Sequence, residues 1–167
     1  MNSAHWHLAV NHFPIVGTIF GLGVLLAGIY FKNKAVKNTS YVMFIIAAVL
    51  AGVSMATGEG AEEIVEELNI SHSIIHKHEE LAEKFALTLY ILGVLSIVAL
   101  ILNLKNNAKE KFILYLIIIV SIIALILAKE TGTSGGEIRH IEIRDNYSLN
   151  NTNKISPSKE KEHYEDD

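Results

Sequence analysis

The chain is divided by four apolar stretches, at residues 8–31, 39–57, 81–104 and 112–128, and this spacing constrains its fold more than any other feature. They hold 24, 19, 24 and 17 residues, and a bilayer core of about 30 Å asks for roughly 17 to 25 helical residues. The first, second and fourth contain no Asp, Glu, Lys or Arg; the third carries Glu83 and Lys84 at its start. Four such helices in 167 residues leave too little polar helix surface to cover a water-soluble core. The mean hydropathy of +0.33 and a hydrophobic content of 50% agree. The expected fold class is all-α: a four-helix transmembrane bundle occupying 1–144, followed by a disordered polar tail at 145–167. The tail is rich in Asn, Ser, Lys and Glu and buries too little apolar area to offset its ordering entropy. The first stretch lacks a basic leader and exceeds the apolar core of a secretion signal, so it is expected to remain in the mature protein.

Loop charges set the expected orientation. Lys32, Lys34 and Lys37 fill the first connection and Lys105, Lys109 and Lys111 the third, whereas residues 58–80 hold seven glutamates against Lys77 alone. Basic short loops stay in the cytoplasm. Both termini and the acidic connection are therefore expected outside, in an N-out/C-out arrangement in a bacterial inner membrane. Gly17 and Gly21, and Ala48 and Gly52, form small-xxx-small pairs that let helix backbones approach closely; the same pairs would also make room for a flat cofactor.

The halves repeat. Residues 56–64 read ATGEGAEEI and residues 130–140 read ETGTSGGEIRH, each after an even-numbered helix, and both match as glycine–glutamate turns. His5, His7 and His12 open the first helix, and His72, His76 and His78 open the third. Two tandem helical hairpins of the same orientation follow, related by an axis along the membrane normal. All the histidines except His163 then gather near the outer end of the bundle. By helical phase, His5 shares a face with His12 and His7 lies beside Asn11. His72 and His76 stack one turn apart, with Glu79, Glu80 and Glu83 continuing their stripe, and His78 faces the side of Ala82 and Phe85. His12 lies inside its apolar stretch beside Pro14, where a polar side chain is costly unless paired, coordinated or hydrated.

Composition excludes much chemistry. With no cysteine there is no disulfide framework, zinc finger, thiolate-held cluster or thiol nucleophile. A net charge of −4 and a pI near 6.1 give no basis for nucleic-acid binding. No nucleotide-binding or serine-hydrolase motif is present. Imidazole and carboxylate remain as ligands. A b-type haem held by two imidazoles from neighbouring helices needs nothing more. The preferred ligands are His12 with His76 or His78, and His7 with His140 forms a second candidate pair. Glu59, Glu63, Glu79 and Glu137 are candidates to orient the rings, and Arg139, Arg144 and Lys77 to pair with propionates. Two alternatives stand beside haem. A non-haem iron, copper or zinc site would use His7, His12, His76, His78 and His140 with Glu59, Glu63, Glu79 and Glu137. A structural subunit with no cofactor is the other.

The segment His7-Leu8-Ala9-Val10-Asn11-His12-Phe13-Pro14-Ile15 resembles the His-x4-His-Phe-Pro-Ile opening of an uncharacterised family of four-helix bacterial membrane proteins. Thr57-Gly58, His76 or His78, and Gly135-Gly136-Glu137 with His140 are similar to that family's later motifs, so the resemblance spans residues 5–142. His140 follows Gly-Gly-Glu sooner than the family pattern implies. The acidic connection and the His-Trp-His start resemble members from the Bacteroidetes. The family is similar in build to the membrane cytochromes b, which implies haem as a ligand and an electron-transfer role. Respiratory-chain subunits or quinone are the implied partners, and an oligomer is compatible with the same build.

Overall fold

The structure is a computed structural model and describes residues 2–66 and 70–144. All its regular elements among these residues are helical: α1 (Ser3–Val10), α2 (Phe13–Tyr30), α3 (Lys34–Glu66), α4 (His72–Leu104) and α5 (Glu110–Arg139), closed by a 3-10 turn at Ile141–Ile143. Four spans have the length and apolarity to cross a membrane: Ser3–Tyr30, Lys34–Ile64, His72–Leu104 and Glu110–Arg139. The anticipated tail at 145–167, with His163, lies outside the described residues.

The element boundaries differ from the apolar stretches in two ways. The first stretch is broken at Asn11–His12, so His7 and His12 sit on different helices. Pro14 causes the break: it has no N–H for the Val10 carbonyl, and its ring crowds that carbonyl. Pro14 is then accommodated in the first turn of α2, where its missing N–H costs nothing. The second difference is length. Beyond their apolar parts, α3, α4 and α5 continue as helix by nine to eleven residues, roughly 14–16 Å. The two segments expected to be glycine–glutamate turns are helical instead, the second as far as Arg139. Their glycines all keep negative φ, and Gly60, Gly135 and Gly136 serve close contacts instead. A Cβ on Gly60 would meet the Ser3 side chain at 2.6 Å, and one on Gly136 would meet Ile143 at 3.1 Å.

Each long helix packs on the next in sequence, α2 on α3, α3 on α4 and α4 on α5, while α1 lies on α3 and α2 touches α5 more lightly. Tyr41, Phe44, Leu25, Leu89, Leu92 and Ile117 are fully buried between them. The small residues make the closest approaches. Gly17 faces Ala47, Gly21 faces the Phe44 ring, and Gly93 faces Ala48, with Cβ positions 3.2, 2.7 and 2.7 Å from those atoms. The small-xxx-small pairs are thus spent on helix packing. The opposite faces expose Ile19, Phe20, Val49, Val94, Ile119 and Ile126, an apolar surface suited to lipid rather than water.

The two short turns are built alike. Lys32 and Asn106 both adopt left-handed backbone (φ 51° and 54°) after α2 and α4. The next residue's N–H, from Asn33 or Asn107, returns to the carbonyl five residues earlier, Gly28 or Leu102, each at 2.9 Å. This is the 6→1 closure that ends a helix on an αL residue. Asn33 then caps α3, its Oδ1 accepting from Ala35 N–H at 2.9 Å, while Asn107 Oδ1 accepts from Lys109 N–H at 3.0 Å, just ahead of α5. Beside these turns Glu110 is buried, accepting from Lys37 Nζ at 2.7 Å and from the Tyr41 hydroxyl at 2.6 Å. Asn103 donates to Asn38 at 2.7 Å.

Candidate functional site

At the end of the bundle away from these turns, two histidines are held in the same way. His7, on α1, places Nδ1 3.1 Å from the Ser54 carbonyl and 3.4 Å from Thr57 Oγ1. His78, on α4, places Nδ1 3.0 Å from Ser134 Oγ. Thr57 shares its hydroxyl proton between the Val53 and Ser54 carbonyls, each at 3.0 Å, and Ser134 gives its own to the Thr131 carbonyl at 3.0 Å. A hydroxyl whose proton is spent can only accept, and a carbonyl can only accept. Both rings must therefore carry hydrogen on Nδ1, and both keep a lone pair on Nε2. No hydrogen bond engages either Nε2 among the described residues. Each ring lies against a glycine: a Cβ on Gly58 would come 3.5 Å from His7 Cε1, and one on Gly135 3.0 Å from His78 Cε1.

Ser54, Thr57 and Gly58 thus correspond to Thr131, Ser134 and Gly135. The repeat runs three residues out of step with the Thr-Gly identity of Thr57-Gly58 and Thr131-Gly132. The hydroxyls are what the geometry equates: hydroxyl-x-x-hydroxyl-Gly occurs in both helices. The two rings lie close enough for charge on one to be felt at the other, and His12 stands in the same relation to His7.

The remaining sequence candidates are placed differently. His12 is exposed at the start of α2, because the helix break turns it out of the apolar interior where its sequence position put it. His76 is 60% exposed and faces Glu79 and Glu80 on its own helix, at 3.6 and 3.5 Å. Its ring is 6.5 Å from that of His72, in line with their expected stacking. His140 is exposed past the end of α5 and is engaged by Glu142 at 2.9 Å. The Glu142 backbone N–H and the His140 ring in turn hold that carboxyl below the usual glutamate range. The structure thus anchors His7 and His78 alike and leaves His12, His76 and His140 exposed.

The carboxylates expected to orient the rings are elsewhere. Glu59 and Glu63 are exposed. Glu79 faces His76, and Glu137 pairs with Lys77 at 3.0 Å. Hydroxyls and carbonyls take over the orienting role. Arg144 donates to the Glu137 and Ile138 carbonyls at 2.7 and 3.2 Å, closing the end of α5, so it and Lys77 are already engaged. Arg139 is exposed. Among the described residues no three His, Asp or Glu side chains are grouped so as to hold a metal ion. No family model matches the chain, and neither a curated protein nor a solved structure matches it.

Proposed function

We propose that the protein is an integral membrane carrier of b-type haem that passes electrons at the outer face of a bacterial inner membrane. One observation carries this reading. Two imidazoles from different parts of the chain lie at the same end of the bundle, each pinned through Nδ1–H and each presenting an unshared Nε2 lone pair. That is the donor state that axial ligation of haem iron requires. The donor set fits the group: two neutral nitrogens suffice for haem, whereas a non-haem metal site asks for three or more protein donors, and no such group occurs among the described residues. His7 and His78 would hold the iron. The bound haem would supply one-electron redox chemistry. Ser54, Thr57 and Ser134 would fix the ring planes, and the exposed Arg139 is the cation left for a propionate.

The repeated turns and repeated histidine anchors support a bundle of two tandem hairpins. The lysines at the turns support placing them in the cytoplasm, with both termini and the histidines outside. The opening His-x4-His-Phe-Pro-Ile motif supports kinship with the four-helix membrane family that it resembles. The test is an absorbance spectrum of the detergent-purified protein. A Soret band with a sharp reduced α band, lost in both His7→Ala and His78→Ala but kept in His12→Ala and His140→Ala, is expected. A folded, colourless protein sinks the haem reading and leaves a structural subunit.

A further inference from the structure

His72, His76 and Glu79 stand at positions i, i+4 and i+7 of α4, one stripe along its polar start. All three reach water: His72 is exposed, and the His76 and Glu79 side chains are 60% and 42% exposed. The two rings lie 6.5 Å apart and are tilted by 31°. His76 has a carboxylate oxygen on each side, Glu79 Oε2 3.6 Å from Nδ1 and Glu80 Oε1 3.5 Å from Nε2. Both distances exceed those of a hydrogen bond. They come close to the separation of about 3.4 Å that a nitrogen and an oxygen keep across one tetrahedral ion. The neighbouring cations are drawn off this stripe. Lys84 takes Glu80 at 3.3 Å, and Lys77 turns to Glu137 on α5 at 3.0 Å. Among the described residues no lysine or arginine bonds Glu79.

We propose that His72, His76 and Glu79 take up an exchangeable divalent transition ion of the Zn2+ type at the start of α4. Two imidazoles one turn apart on a helix can share a single ion, as the two histidines of a His-x3-His pair do in zinc sites. Two neutral nitrogens and one carboxylate suit Zn2+ and exclude Ca2+ and Mg2+, which take oxygen donors. With Zn–N bonds of about 2.0–2.1 Å, two rings on one tetrahedral ion have centres about 5 Å apart. Closing to that from 6.5 Å takes side-chain rotation alone, which exposed rings undergo within nanoseconds. No three such donors are grouped as they stand. The ion itself therefore assembles the site, with water as a further ligand, which makes it a site for capture and release. The partial positive charge of the helix start opposes a cation there, and the Glu79 carboxylate offsets it. The site uses neither His7 nor His78, so the inference goes beyond the haem reading and does not rest on it.

The test is calorimetric titration of zinc chloride into the full-length detergent-purified protein carrying no affinity tag. Saturable one-to-one binding is expected. His72→Gln and His76→Gln, both at exposed positions, should each weaken it about tenfold or more, a loss that even residues outside the ligand set can cause. Glu79→Gln should weaken it by a smaller factor, and His5→Gln and His140→Gln should leave it unchanged. A second arm uses the unaltered protein: Zn2+ should shield His72 and His76, but not His140, from acylation by diethyl pyrocarbonate, read by peptide mass mapping. No saturable heat overturns the proposal, as does an affinity that either His72→Gln or His76→Gln leaves intact. Displacement of the zinc by excess Ca2+ overturns it as well, since that would mark a site made of carboxylates alone. A colourless protein whose zinc binding needs both histidines sinks haem and leaves this proposal standing; a haem-bearing protein with no saturable zinc heat does the reverse.

Discussion

Ser134 Oγ lies 3.0 Å from His78 Nδ1 while giving its own proton to the Thr131 carbonyl, and that second bond makes it an acceptor for the ring. The Thr131 carbonyl also acts on the His78 ring, as the Ser54 carbonyl does on His7, so each ring has a hydroxyl and a carbonyl. Ser134→Ala is expected to destabilise the protein by about 1 kcal/mol, since the ring loses its hydroxyl partner while the Thr131 carbonyl remains. Thr57→Ala should cost less, because its hydroxyl stands 3.4 Å from its ring against 3.0 Å for Ser134. Thermal unfolding in detergent reads both; equal losses would contradict this asymmetry.

The glycines beside the two rings make a second contrast. A methyl group at Gly135 would stand 3.0 Å from His78 Cε1 and 3.4 Å from Nδ1, so the ring must shift off its anchor; at Gly58 the nearest ring atom is at 3.5 Å, ordinary contact. Gly135→Ala should destabilise by roughly 1–3 kcal/mol and, if the proposed haem is bound, lower its amount per protein; Gly58→Ala should do neither. Gly23, which has open space around it, is the control: Ala there should be neutral or stabilising by up to about 1 kcal/mol. Absorbance and melting of the three variants decide the order.

At the other end, Glu110 and Lys37 are 7% and 15% exposed and bonded at 2.7 Å. Glu110→Gln leaves the lysine charge with no counter-charge in a place largely closed to water, and should cost about 3–5 kcal/mol. Replacing both charges, Lys37→Met with Glu110→Gln, should recover most of that loss. A double variant as unstable as the single one would show that the pair is not what holds α3 to α5 here.

The absence of cysteine makes the orientation directly measurable. Ser71→Cys, before α4, and Asn107→Cys, in the turn before α5, are both exposed positions. In intact cells a membrane-impermeant maleimide should label the first and spare the second until the cells are broken. Labelling in the reverse order would invert the membrane topology.

The helices were legible because their signal is a bulk one: four apolar runs of spanning length survive any local detail. Their ends were not. Residues 58–66, 72–80 and 129–139 are polar, so apolarity stops marking the helix there, and glycine is read as a turn when its role is to admit a neighbouring side chain. The histidines were legible as a cluster, and His78 already pointed toward the Phe85 face. Their placement was hidden by Pro14, whose local break separates His12 from His7 in a way that an unbroken helical count does not show. The anchors were the residues missed. Ser54, Thr131 and Ser134 carry no charge and draw no notice alone, and only the hydroxyl-x-x-hydroxyl-Gly spacing, compared between the halves, would have found them.

The two anchored imidazoles come from opposite sides of the connection between α3 and α4. Neither α1–α3 nor α4–α5 contains the pair, so a partly inserted chain has no site whatever its local structure. Any ligand gripped by both rings ties the halves together at the end where only short polar helix extensions meet. Filling the site would then act as the last step of assembly, and emptying it would loosen the bundle first at that end.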